Sequence, residues 1–207
     1  MPWTLFNNLK NDVCDDLKQF LLSCRSAADE NDFQKQLFEY LEESKKYDRV
    51  IREYPILNSD LPHYEWRSDA TVRIDIVVER GGKLVVIELK FVTREQGATP
   101  EHAYNFWKDV RRLECMQHYF GRKMVGGFAV FMTNNPTYEK GPQGECNYIY
   151  FTMAANDPNA GTEKHWAEMT TQMAKSHPNF SVNRNHCKVT MWNDSGITKF
   201  RYCMIKI

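Results

Sequence analysis

Gly81-Gly82 lies between two runs of β-branched and apolar residues, Arg73-Ile-Asp-Ile-Val-Val-Glu-Arg80 and Lys83-Leu-Val-Val-Ile-Glu-Leu-Lys90. A Gly-Gly pair so placed predicts a hairpin, because both glycines accept the positive φ that a two-residue loop demands. With those glycines as the loop, Arg80 pairs with Lys83, and stepping outward brings Asp75 opposite Glu88. Side chains alternate along a strand, so Lys90 shares a face with Glu88. A four-residue loop on the same centre keeps this register; a three- or five-residue loop breaks it.

Two carboxylates directly opposite on one sheet face repel and destabilise the pair. A divalent cation offsets that repulsion, and hard cations such as Mg²⁺ take carboxylate oxygens and water. Lys90 adds a positive donor beside the pair. One acid pair, one metal and one lysine can activate water against a phosphodiester. The same residues also suit a surface hairpin with a solvated polar face, in which Lys90 neutralises Glu88.

Asp75, followed after the hairpin by Glu88-Leu89-Lys90 at the end of an apolar strand, resembles the core of the PD-(D/E)XK nuclease superfamily. The superfamily's name implies a proline before the Asp; this chain carries Ile74 there. The resemblance implies a restriction-endonuclease-like α/β fold, a mixed central β-sheet flanked by α-helices. It implies that Asp75 and Glu88 bind Mg²⁺ or Mn²⁺, with the Leu89 carbonyl a further ligand, and that Lys90 positions the attacking water. Upstream, Phe33, Leu37, Phe38, Tyr40 and Leu41 follow helical spacing, with Asn31 or Asp32 as the N-cap. Arg49-Val-Ile-Arg-Glu-Tyr54 then reads as a short strand ended by Pro55. Helix, strand, then hairpin is the superfamily's order of elements. Members often carry one more metal-side acid on that helix: Glu30 is the candidate, and Glu39 the alternative. A looser similarity covers most of the chain, through Phe106-Trp-Lys-Asp-Val-Arg-Arg-Leu113, Thr133-Asn-Asn-Pro-Thr-Tyr138 and the last strand, Phe200–Ile207. It is to a bacterial group of uncharacterised role with the same nuclease-like core.

A length of 207 residues suits one α/β domain spanning residues 1–207. No apolar run approaches the roughly 20 residues of a membrane span, and the N-terminus lacks a signal-peptide pattern. The six cysteines form no C-x-x-C pair, so reduced thiols and a cytoplasmic location are expected. His186 and Cys187 have no second pair with which to build a zinc site.

A net charge of zero argues against tight nonspecific DNA binding by the whole surface. A local patch remains open. His102 to Phe120 reads as a helix with Phe106, Val110, Leu113 and Phe120 on one stripe and Lys108, Arg111 and Arg112 opposite. Those three are the candidate phosphate contacts; the other reading is an ordinary solvated helix face. Gly126 to Thr133 reads as a buried strand, Tyr148 to Thr152 as another, and Thr162 to Lys175 as helical. The 156–161 stretch is an insertion or lid candidate. Gly141-Pro-Gln-Gly has no Gly-Lys-Ser/Thr ending, Ser195-Gly lacks the Gly-x-Ser-x-Gly elbow, and the histidines lack H-E-x-x-H spacing.

The expected activity is therefore metal-dependent hydrolysis of DNA phosphodiesters, with RNA left open as a substrate. The alternative is a nuclease-fold binding or regulatory module without turnover. A homodimer or a nuclease subunit that needs a partner is compatible with the same sequence.

Overall fold

The predicted hairpin forms. Strands β2 (Thr71–Arg80) and β3 (Lys83–Val92) run antiparallel, joined by Gly81 at φ 59° and Gly82 at φ 71°. Both glycines take the positive φ that matches the twist of the flanking strands. The register is the expected one from Arg80↔Lys83 to Ile76↔Ile87. The computed structural model describes residues 8–61, 71–141, 151–158, 160–165 and 176–207.

The hairpin sits in a six-stranded mixed sheet. Its other strands are β1 (Arg49–Leu57), β4 (Met124–Thr133), β7 (Asn193–Asp194) and β8 (Arg201–Lys206), in the order β1-β2-β3-β4-β8-β7. Among the described residues, β3 and β4 are the one parallel pair in this sheet. A parallel pair needs a long crossover, and helix α3 (Thr99–Phe120) supplies it. The described residues also include a two-stranded ribbon, β5 (Glu163–Lys164) with β6 (Phe180–Ser181), and a one-turn helix α4 (Thr137–Lys140).

Helices α1 (Asn8–Ser23) and α2 (Glu30–Glu43) cover one sheet face, against Ile76, Val78, Val85, Ile87, Phe128 and Val130. Helix α3 covers the other, against Val77, Val86, Ala129 and Phe131. Strands buried on both faces read as continuous apolar runs rather than alternating ones, which is why β3 and β4 are so hydrophobic.

Several boundaries differ from the sequence reading. The α2 cap is Asp29, whose side chain accepts the Asp32 N–H, so Glu30 opens the helix. Strand β1 runs on through Pro55 to Leu57, with Pro55 opposite Arg73. A proline is tolerated there because β1 is an edge strand. Glu163 and Lys164 are strand, not the start of a helix; residues 166–175 of that expected helix lie outside the described residues. Of the strand expected at Tyr148–Thr152, residues 148–150 lie outside them too, and Phe151 and Thr152 belong to no strand. Helix α3 is not half-solvated. Phe151, Met153, Phe180, Val182 and Cys187 join its core, so most of its middle is buried. Among the described residues no helix is long and apolar enough to cross a membrane.

Candidate active site

The β2–β3 ladder stops at Ile76↔Ile87, one pair short of Asp75 and Glu88. In its place the Asp75 side chain continues the contact: the Leu89 N–H donates to Asp75 Oδ2 at 2.6 Å. On a strand, a residue's N–H and C=O face the same neighbour, so the Leu89 carbonyl is directed to the side that Asp75 occupies. The alternation of β2 breaks at this point. Ile74 belongs to the α3-side core and Ile76 to the opposite one, whereas residues two apart on a regular strand share a face. On β1, Arg52 and Tyr54 pair with Ile76 and Ile74, and Glu53 between them takes φ 55°. A positive φ is uncommon for a residue with a Cβ.

Gln34 on α2 secures this kink. Its Nε2 donates to Asp75 Oδ1 at 2.9 Å, to the Asp75 carbonyl at 3.3 Å and to Glu53 Oε1 at 2.7 Å. Its Oε1 accepts from Arg52 Nε at 2.7 Å, which fixes the amide's orientation. Two strands and a helix thus converge on one carboxylate.

Glu88 is 2% exposed. Arg112 on α3 donates from Nη1 to Glu88 Oε1 at 3.0 Å and pairs through Nη2 with Asp109 Oδ1 at 3.3 Å. On the same strand, Lys90 Nζ donates to Glu30 Oε1 at 2.9 Å, and the Phe91 N–H donates to Glu30 Oε2 at 3.0 Å. Glu30 therefore ties the start of α2 to the end of β3. Glu39, farther along α2, is exposed and pairs with Lys35 at 3.7 Å.

Burial dominates the electrostatics. It pushes the Asp75 carboxyl up to about 7; the charges of Asp109 and Glu30 add to the rise, while the Leu89 N–H and Arg112 oppose it. Burial also holds Glu88 well above the usual carboxylate range; Arg112 opposes this and the charges of Asp75 and Asp109 add to it. For Lys90, burial pulls downward but Asp109, Glu30 and Asp75 outweigh it, so the ammonium sits above its ordinary range. Burial lowers Lys108 and His102, with Lys90 adding to both. Asp75, Glu88, Asp109, Glu30, Lys90, Lys108 and Arg112 form one interacting charge cluster drawn from β2, β3 and the two helices α2 and α3.

Among the described residues no group of three or more His, Cys, Asp or Glu side chains is set to hold a metal ion. Mg²⁺ needs fewer, because it is commonly held by one or two carboxylates while keeping several waters. Asp75, Glu88 and the Leu89 carbonyl form an all-oxygen donor set whose carboxyls resist ionisation without added positive charge. That set fits a hard divalent cation. His186 Nδ1 pairs with Glu114 Oε1 at 2.8 Å, and the Cys187 thiol donates to the Arg184 and Ala160 carbonyls.

Of the expected phosphate contacts, Arg112 reaches the hairpin but Arg111 pairs with Glu114 at 3.6 Å. All three are partly buried rather than presented as one exposed ridge. Sequence reasoning did not single out Gln34, Arg52, Glu53 or Asp109. A helix face that carries Glu30 and Gln34 four residues apart was the available signal, since such residues are neighbours on a helix.

The chain matches no protein-family model, no curated protein and no solved structure.

Proposed function

We propose that this chain is a divalent-metal-dependent nuclease of the PD-(D/E)XK, restriction-endonuclease-like kind, hydrolysing DNA phosphodiester bonds with Mg²⁺ or Mn²⁺. The observation that carries the reading is the Asp75 carboxylate lodged against the Leu89 N–H where the hairpin ladder ends, beside buried Glu88 and charged Lys90. The helix, three-strand, helix, strand order around that point is compatible with such a core.

Asp75, Glu88 and the Leu89 carbonyl would hold the ion. When bound, it supplies a lowered water pKa and positive charge for the phosphate oxygens. Lys90 is protonated throughout the neutral range, so it acts as a cation rather than as a base: it orients the water and stabilises developing charge. Glu30 holds the Lys90 ammonium in place. Gln34 fixes Asp75 from behind, so the Asp75 carboxylate is not free to swing away from the site. Lys108 and Arg112 add positive charge on the α3 side, where a phosphate would lie.

A second reading, a nuclease-fold binding module without turnover, draws support from Arg112, which already occupies Glu88. Incubating the purified chain with plasmid DNA in Mg²⁺ or in chelator separates the two. The nuclease reading expects cleavage only with metal, reduced 10²–10³-fold in Lys90→Ala, roughly the effect of removing one preorganised donor. The binding module expects none.

A further inference from the structure

Arg112 holds two acids at once. Nη1 meets Glu88 Oε1 at 3.0 Å and Nη2 meets Asp109 Oδ1 at 3.3 Å, while the arginine side chain keeps 18% of its surface exposed. Glu88 is the more enclosed partner, at 2%. A guanidinium on a carboxylate oxygen repels a divalent cation that seeks the same carboxylate, and the repulsion is strong where water is scarce. Asp109 lies one helical turn before Arg112, so the side chain can leave Glu88 without losing its second partner.

We propose that Arg112 is a counter-ion latch that couples metal loading to phosphodiester binding. In the metal-free chain its guanidinium stands in for the cation at Glu88. A backbone phosphate competes for it, because a guanidinium pairs with phosphate through two parallel hydrogen bonds. Once drawn to the phosphate, Arg112 frees Glu88 for the ion, and the ion's presence in turn keeps Arg112 on the phosphate. Metal and nucleic acid then raise each other's affinity by the same factor. The inference rests on the nuclease reading, since it takes Glu88 as a metal ligand.

The test titrates Mg²⁺ into the full chain by calorimetry, with and without a short phosphorothioate DNA duplex that resists hydrolysis. Wild type and Arg112→Met are compared; the duplex's own Mg²⁺ binding is common to both. Arg112→Met should bind Mg²⁺ more tightly than wild type by on the order of tenfold to a hundredfold, the equivalent of one charge-assisted hydrogen bond. The duplex should tighten Mg²⁺ binding in wild type and add little in the variant. A merely structural arginine would lower the melting temperature and leave Mg²⁺ affinity alone. Equal or weaker Mg²⁺ binding by Arg112→Met overturns the latch while the metal site stands. Failure of both proteins to bind Mg²⁺ overturns the latch and the metal site together. If circular dichroism shows Arg112→Met unfolded, Arg112→Lys is judged by the same outcomes, because a single ammonium lacks the fork that spans Glu88 and Asp109.

Discussion

Asp75 makes the metal-free protein pH-sensitive in an unusual direction. Its folded carboxyl titrates at about 7 against an ordinary 3.8, with burial the main cause. Between those values the folded state holds a proton that the unfolded chain has released. Stability is therefore highest at low pH and falls as pH rises towards 7, the reverse of a salt-bridged carboxylate. At about 1.36 kcal/mol per pH unit the full effect is on the order of 4 kcal/mol, an upper figure because Asp75 is only partly shielded from water. By linkage, about 2 kcal/mol of it falls between roughly pH 5.5 and 8.5. Asp75→Asn cannot ionise and lacks that loss. The variant has a cost of its own, because its amide must face either the Leu89 N–H or the Gln34 amide, both donors. A buried unmatched donor costs about 1–3 kcal/mol. Asp75→Asn should therefore be clearly less stable than wild type near pH 5.5 and close to it near pH 8.5. Urea unfolding in chelator across that range measures both. Parallel stability-versus-pH curves for the two proteins would refute the assignment of the raised carboxyl to Asp75.

Glu88→Gln should abolish the rise in melting temperature that Mg²⁺ gives wild type at pH 8, since a cation bound only by the native state stabilises by mass action; an unchanged rise removes Glu88 from the metal site. In wild type that rise should shrink from pH 8 to pH 5.5, because the ion must displace protons from Asp75 and Glu88, and thermal melts at the two pH values decide it. Lys90→Ala should keep the Mg²⁺-induced rise while losing cleavage, because lysine contributes charge and not a metal bond. Gly196→Ala tests the frame that carries α1: a Cβ there would lie 2.3 Å from the carbonyl oxygens of Leu22 and Cys24. It should cost about 1–3 kcal/mol or more by urea unfolding, with no change in the pH dependence ascribed to Asp75.

The hairpin was legible because its information is local. Gly81-Gly82 specifies the loop, and the loop specifies the register of the next five residues on each side. The register is lost at Asp75 for a reason no local rule contains: Gln34, Arg52 and Glu53 reshape β2 from outside the hairpin. The placement of Glu30 at the start of α2 follows from the apolar spacing of Phe33 and Leu37, though the cap is Asp29, ahead of Asn31 and Asp32. Helix α3 misled because a one-sided apolar stripe describes a helix with one buried face. Among the described residues, Phe151, Met153, Phe180, Val182, Cys187 and Trp192 contribute a second cover to it, and the described strands there, β5 and β6, span two residues each, too short to produce a periodic signal. That cover turned the expected basic ridge into a partly buried cluster, with Arg112 drawn onto Glu88.

The central claim is that Asp75 and Glu88 share one cation that serves hydrolysis. Mn²⁺ binding by electron paramagnetic resonance and cleavage of plasmid and single-stranded DNA should be measured on the same samples of wild type, Asp75→Asn and Glu88→Gln. Wild type should bind Mn²⁺ and cleave, and each variant should lose both together while remaining folded. Wild type without Mn²⁺ binding or cleavage, or variants that retain both undiminished, would contradict it.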